Sequence, residues 1–145
     1  MSVRAGLVGL PLLTLYSAAK YALEGFSEAL AYELAPLNIG VKLIEPSGGV
    51  SGTDLGKRLG TERAQTTSLV DYDEFIACTN AAYAKRMATA GEVAQVLYEA
   101  ATDSTGRLRY FCGEDTDDLL KSKRDMPDEK FIEFMRSRFQ LRDDI

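Results

Sequence analysis

The feature that most constrains the fold is a long helical stretch followed closely by a short strand and then a glycine-rich loop. From Leu15 to Leu34, the residues Ala18, Ala22, Phe26, Ala29 and Leu30 recur at three- and four-residue steps, the spacing of one helix face. Thr14 is a candidate N-cap, Pro36 ends the helix, and Asn38-Ile39-Gly40 forms a turn. The small residues Ala18, Ala19, Ala22 and Gly25 would let another backbone approach closely. Val41-Lys42-Leu43-Ile44 then reads as a short buried strand that stops at Pro46, and Ser47-Gly48-Gly49-Val50-Ser51-Gly52-Thr53 as a loop. A strand followed by a glycine-rich loop is an arrangement found in α/β sheets. Such sheets bind ligands at the carboxyl ends of their strands, although an ordinary surface loop has the same composition.

The rest of the chain extends this pattern. Ser2 to Leu13 reads as the end of a strand followed by a Gly/Pro loop. Asp71 is placed to cap a helix from Tyr72 to about Met87. Thr89-x-x-Glu92 fits a capping box ahead of Val93, Val96, Leu97 and Ala100. Leu108 to Cys112 reads as a second strand, and Asp117 to Lys123 as a helical segment. Met126-Pro127-Asp128 opens a last helix with Phe131, Ile132, Phe134, Met135 and Phe139 as apolar positions. Apolar residues at helical spacing usually mark a core face, so this tail is expected to pack on the same domain rather than form a separate interaction surface.

Composition removes several function classes. At 145 residues the chain is a single domain by length, and 46% hydrophobic residues suffice for a core. Its net charge of −5 provides no basic field for nucleic acid. It has no histidine, which excludes histidine bases and most catalytic zinc sites, and no metal site is expected. Cys78 and Cys112 are far apart and read as buried reduced thiols. The apolar stretch from Ala5 to Leu15 is broken by Gly6, Gly9 and Pro11, is too short to span a bilayer, and lacks the flanks of a signal peptide. A cytoplasmic protein that does not engage a membrane is expected.

Tyr16 and Lys20 stand four residues apart at the start of the long helix, and so on one face. An ammonium beside a phenol favours the phenolate. That would make Tyr16 a usable proton donor and acceptor, which a phenol with a pKa of about 10 is not at neutral pH. The chain has seven tyrosines, so the spacing takes its weight from its surroundings.

Those surroundings carry a family resemblance. The runs are Ala5-Gly6-Leu7-Val8-Gly9-Leu10-Pro11, then Tyr16-Ser17-Ala18-Ala19-Lys20-Tyr21-Ala22-Leu23-Glu24-Gly25-Phe26, Glu33-Leu34-Ala35-Pro36, Asn38-Ile39-Gly40-Val41 and Glu45-Pro46. Gly91-Glu92-Val93-Ala94 and Arg107-Leu108-Arg109-Tyr110 complete the set. In this order they resemble the C-terminal half of the classical short-chain dehydrogenases/reductases, over nearly the whole chain. The resemblance implies an α/β fold in which residues 1–145 form the helix-rich C-terminal part of a Rossmann-like, doubly wound parallel sheet, incomplete without the N-terminal half. It implies an NAD- or NADP-dependent oxidoreductase acting on a small alcohol or carbonyl substrate, with homo-oligomers common. Tyr16 would be the acid/base and Lys20 its pKa-lowering partner and a ligand of the nicotinamide ribose. Tyr16, Lys20, Pro46, Ser47, Gly48, Val50 and Thr53 would line the cofactor, and residues 53–86 would form a substrate lid.

The sequence departs from the family pattern at three points. Val3 stands thirteen residues before Tyr16, where the family usually has a serine, and Ser2 is one residue off. The loop carries additional residues on both sides of Val50. The family's strand–glycine turn–helix for the pyrophosphate has no counterpart here. Those departures give a second expectation: a truncated, non-catalytic fragment, inactive alone and of low stability as a monomer, acting as a dimerisation or partner-binding module.

Overall fold

The computed structural model describes residues 4–46, 50–51, 54, 76–77, 79, 88–113 and 116–139. Its elements, in chain order, are a 3-10 turn at Arg4–Gly6, helix α1 (Thr14–Leu34), a 3-10 turn at Ala35–Leu37, strand β1 (Leu43–Pro46), helix α2 (Ala90–Thr102), strand β2 (Arg109–Cys112), and helices α3 (Thr116–Asp125) and α4 (Asp128–Phe139). This is a helix-rich α/β arrangement around a small parallel sheet.

The strands lie close to where the sequence puts them, β1 starting two residues later than expected and running through Pro46, and β2 starting one residue later. β1 and β2 pair in parallel, Leu43 opposite Arg109 and Pro46 opposite Cys112. A parallel pair needs a crossover, and the described part of it is α2. The Thr89 capping box is present. The Thr89 hydroxyl accepts from the Glu92 backbone N–H at 3.2 Å, and the Glu92 carboxylate accepts from the Thr89 N–H at 2.7 Å. Val50 forms an isolated parallel bridge to Ala88, and the Ser51 N–H donates to the Ala88 carbonyl at 2.8 Å.

Side chains alternate across a strand, so the sheet has two distinct faces. Ile44 and Tyr110 point to α2 and pack with Ala100 and Val96. Cys112 continues that face with Ala88 and Val93. Tyr110 is 1% exposed, yet its hydroxyl is satisfied: it donates to Asp103 and accepts from the Lys42 ammonium. That bond, with those from Thr105, holds the Asp103 carboxyl down at about 2. Glu45 and Arg109 occupy the opposite face, toward α1.

A separate apolar cluster joins the two ends of the described chain. Val8 packs with Leu119, Phe131, Met135 and Phe139. The tail therefore docks on the same domain, as its apolar spacing predicts. Ile132 is the exception among the expected core positions and is 53% exposed.

Three local expectations are corrected. Residues 4–6 of the expected strand end form a 3-10 turn, consistent with the Gly/Pro content that follows. Thr14 is the first residue of α1, not its cap; Leu13 holds the cap position and offers no side-chain oxygen. The small-residue stretch of α1, expected to admit another backbone, lies on the helix's outer face, with nothing within 4 Å of a Cβ built at Gly25. Ala18, Ala22 and Ala29 are exposed, and Phe26 is 65% exposed, while Ser17, Glu24 and Ser27 are buried. The helix turns this way because the sheet surface beneath it carries charge, which polar side chains can pair and alanines cannot. Cys112 is a buried thiol, as expected; Cys78 and most of the helix expected over 72–87 lie outside the described residues.

Candidate functional site

Tyr16 and Lys20 share one side of the first turns of α1. The Lys20 ammonium lies over the Tyr16 ring, 5.5 Å from its centroid, within cation–π range. Tyr16 is half-buried. The neighbouring Ser17 is buried, and its hydroxyl accepts from the Leu10 N–H at 3.5 Å, tying the start of α1 to the loop before it.

The electrostatics differ from the expected phenolate pair. Burial pushes the Tyr16 phenol above its ordinary value of 10.0, and desolvation is the sole cause of that shift. No lowering by Lys20 enters that shift in the chain by itself. Desolvation disfavours the phenolate, and the ammonium sits over the ring face. Tyr21, further along the helix, is likewise raised by burial, with Lys123 and a Gly9 backbone bond pulling the other way.

The other candidate residues are split. Pro46 ends β1 and is fully buried. Val50 is partly buried and packs against the Ala88, Val93 and Cys112 cluster. Ser47, Gly48 and Thr53, the serine-position residues Ser2 and Val3, and nearly all of the segment 53–86 lie outside the described residues. Among the described residues no group of His, Cys, Asp or Glu could hold a metal, and no helix is long and apolar enough to cross a membrane.

Behind the Tyr16/Lys20 turn lies a charged cluster to which the sequence reading gave no role. One turn past Lys20, Glu24 accepts from the Arg109 guanidinium at 2.9 Å, and Glu28 accepts from it at 2.6 Å. Both bonds link α1 to β2. The bond from Arg109, and after it one from the Tyr32 hydroxyl, hold the Glu28 carboxyl below its ordinary value. Glu45 faces the same cluster from β1 and is 0% exposed. The available signal was a glutamate between the strand read as buried, Val41-Lys42-Leu43-Ile44, and the Pro46 that stops it.

Comparison with known proteins points to one family. The short chain dehydrogenase family profile matches residues 1–64. An oxidoreductase of Schizosaccharomyces pombe, itself described as uncharacterized, is 30% identical over 138 residues, covering 94% of this chain and 56% of that protein. Human 17-beta-hydroxysteroid dehydrogenase type 1 is 32% identical over 127 residues, 84% of this chain and 38% of the relative. A probable short-chain type dehydrogenase/reductase of Helicobacter pylori is 32% identical over 127 residues, 88% of this chain and 46% of the relative. The chain spans about half the length of the curated relatives it matches. With its Tyr16/Lys20 helix set beside a parallel sheet, it belongs to the short-chain dehydrogenase/reductase family.

Proposed function

We propose that the chain contributes the proton-transfer and nicotinamide-side part of an oxidoreductase that interconverts alcohol and carbonyl groups with NAD or NADP. The observation that carries this reading is the pairing of Tyr16 and Lys20 on one side of α1, with the Lys20 ammonium 5.5 Å from the Tyr16 ring. The parallel strand ending at Pro46 supports it, since ligands of α/β sheets bind beyond such strand ends. The sheet would be one flank of a doubly wound Rossmann-like domain.

The donor set fits the nicotinamide end of the cofactor: a hydroxyl, a flexible ammonium with three donors, and an apolar proline wall. Lys20 would hold the ribose hydroxyls, and Pro46, with Ser47, Gly48, Val50 and Thr53, would wall the ring. The bound nicotinamide supplies or accepts the hydride. Tyr16 Oη would give a proton to the substrate oxygen in reduction and take it back in oxidation. Burial keeps the phenol protonated but makes it a weaker acid; donation and acceptance alike need positive charge near the hydroxyl, which an approaching Lys20 would bring.

Tyr16→Phe removes that proton and keeps the ring. NAD(P)H oxidation in the presence of ketones and aldehydes is expected to fall at least about 100-fold in the variant. An unchanged rate would overturn the assignment. A second reading, a non-catalytic partner-binding or homo-oligomeric module, is favoured by one feature: the outward apolar side of α1, where Leu15 is 86% and Phe26 65% exposed. Tight binding of NAD(P)H by this chain alone would count against it.

A further inference from the structure

Glu45 is placed where a carboxylate is costly. It sits within β1, paired opposite Phe111, and is 0% exposed. Among the described residues no donor reaches either of its oxygens. An isolated ionised carboxylate so placed would carry a desolvation penalty of several kcal/mol or more.

The groups facing Glu45 come from every side. From α1, the Glu24 carboxyl is within hydrogen-bonding reach and is itself 5% exposed; Glu28 lies one turn further on. From β2 comes Arg109, whose Nε bonds Glu24 and whose terminal nitrogen bonds Glu28. Arg109 attracts Glu45 by charge, after the larger effects of burial and of Glu24. One guanidinium, its bonds already made to two carboxylates, thus faces a third. If all three were ionised, two acceptor-only carboxylates would meet in a buried space with nothing to donate between them.

We propose that Glu45 and Glu24 hold one proton between them as a hydrogen-bonded carboxyl–carboxylate pair, and that this pair, clamped by Arg109, is the positioning lock that seats α1, with Tyr16 and Lys20, on β1. The Glu45 O–H donates to the Glu24 carboxylate, and Glu24 keeps its bond from Arg109. Loss of the proton leaves two like charges face to face and drives helix and strand apart. Burial first, and then Glu24, push Glu45 up to about 8. The pair titrates as a unit. The lock is closed at neutral pH and opens in mild alkali. Its bearing on catalysis rests on the reading of Tyr16 and Lys20 above; the shared proton does not.

The test is the pH dependence of urea unfolding of the full chain, wild type against Glu45→Gln. Glutamine donates an N–H to Glu24 at every pH. An unfolded glutamate ionises near 4.5, whereas the native Glu45 keeps its proton to about 8. Across that window the native state holds a proton the unfolded state has lost, so wild-type stability falls as pH rises, by up to about tenfold in folding constant per pH unit, and levels off above it. Glu45→Gln lacks this decline and gains on the wild type through the window. Parallel curves would overturn the lock. Infrared titration of the wild type needs no variant. A protonated-carboxyl band that survives neutral pH and fades through about 8 supports the pair. Complete loss of that band by about pH 6 overturns it. Neither readout uses NAD(P) turnover, so failure of the oxidoreductase reading leaves both unmoved.

Discussion

The two faces of the sheet solve the same problem with opposite chemistry. Toward α2, Ile44, Ala100, Val96 and Tyr110 meet as an apolar contact. Toward α1, Glu45, Glu24, Glu28 and Arg109 meet as a charged one. Apolar burial is non-directional and nearly indifferent to pH. A buried charge cluster costs desolvation and repays it only in one geometry and one protonation state. The apolar face therefore supplies cohesion. The charged face supplies orientation, and it lies on the side of the helix that carries Tyr16 and Lys20.

Mutations should separate the two. The largest effect is expected from Tyr110→Ala, which empties a site 1% exposed on the apolar face. Removing a buried aromatic side chain costs about 3–5 kcal/mol. Urea unfolding should show that loss undiminished from neutral to mildly alkaline pH, shrinking only in strong acid, where the Asp103 carboxyl that Tyr110 helps hold at about 2 takes up its proton; a loss that varies strongly between neutral and mildly alkaline pH would break the comparison. Arg109→Met comes next. It strips the counter-charge from Glu24 and should cost about 2 kcal/mol at neutral pH, the lower end for a buried pair because the Arg109 side chain is 28% exposed. The Glu28 carboxyl is depressed by this arginine. Its contribution is therefore present above the ordinary carboxylate range and lost as pH falls through its folded pKa. The Arg109→Met deficit should shrink in acid, and a constant deficit would show that the arginine acts by packing alone. The smallest effect is expected from Thr89→Ala, about 1 kcal/mol from the lost cap of α2. It should appear equally in acid and at neutral pH if Glu92 acts through its backbone bond, and grow toward neutral pH if charge matters.

The contrast also explains what could be read from the sequence. Thr89-x-x-Glu92, the stop at Pro46 and the strand ending at Cys112 are local signals, and they place their elements correctly. The Tyr16/Lys20 spacing likewise put both side chains on one side of α1. The inward face of α1 was not local. The stripe Ala18, Ala22, Phe26 reads as core if the surface it meets is apolar. That surface includes Arg109, 85 residues from the Glu24 it bonds. Helical spacing cannot report a partner so distant in the chain. The pKa of Tyr16 escaped for the same reason: spacing shows that Lys20 is near, but burial decides the balance and belongs to the tertiary structure. Glu45 was visible as a charge at the end of a buried strand, and its partners were not.

The bridge between Val50 and Ala88 has a consequence for how this architecture can vary. The chain leaves the sheet beside Ser51 and returns at Ala88, with the Ser51 N–H bonded to the Ala88 carbonyl at 2.8 Å. Whatever is inserted or deleted between those two residues, both ends remain tied at one knot. Doubling the length of such a closed segment costs only about 0.6 kcal/mol of closure entropy. The segment in between is thus free to drift in length and composition while the strands, and the helix they orient, keep their register. A change of length between these two residues is thereby uncoupled from the register of the strands and from the seat of α1.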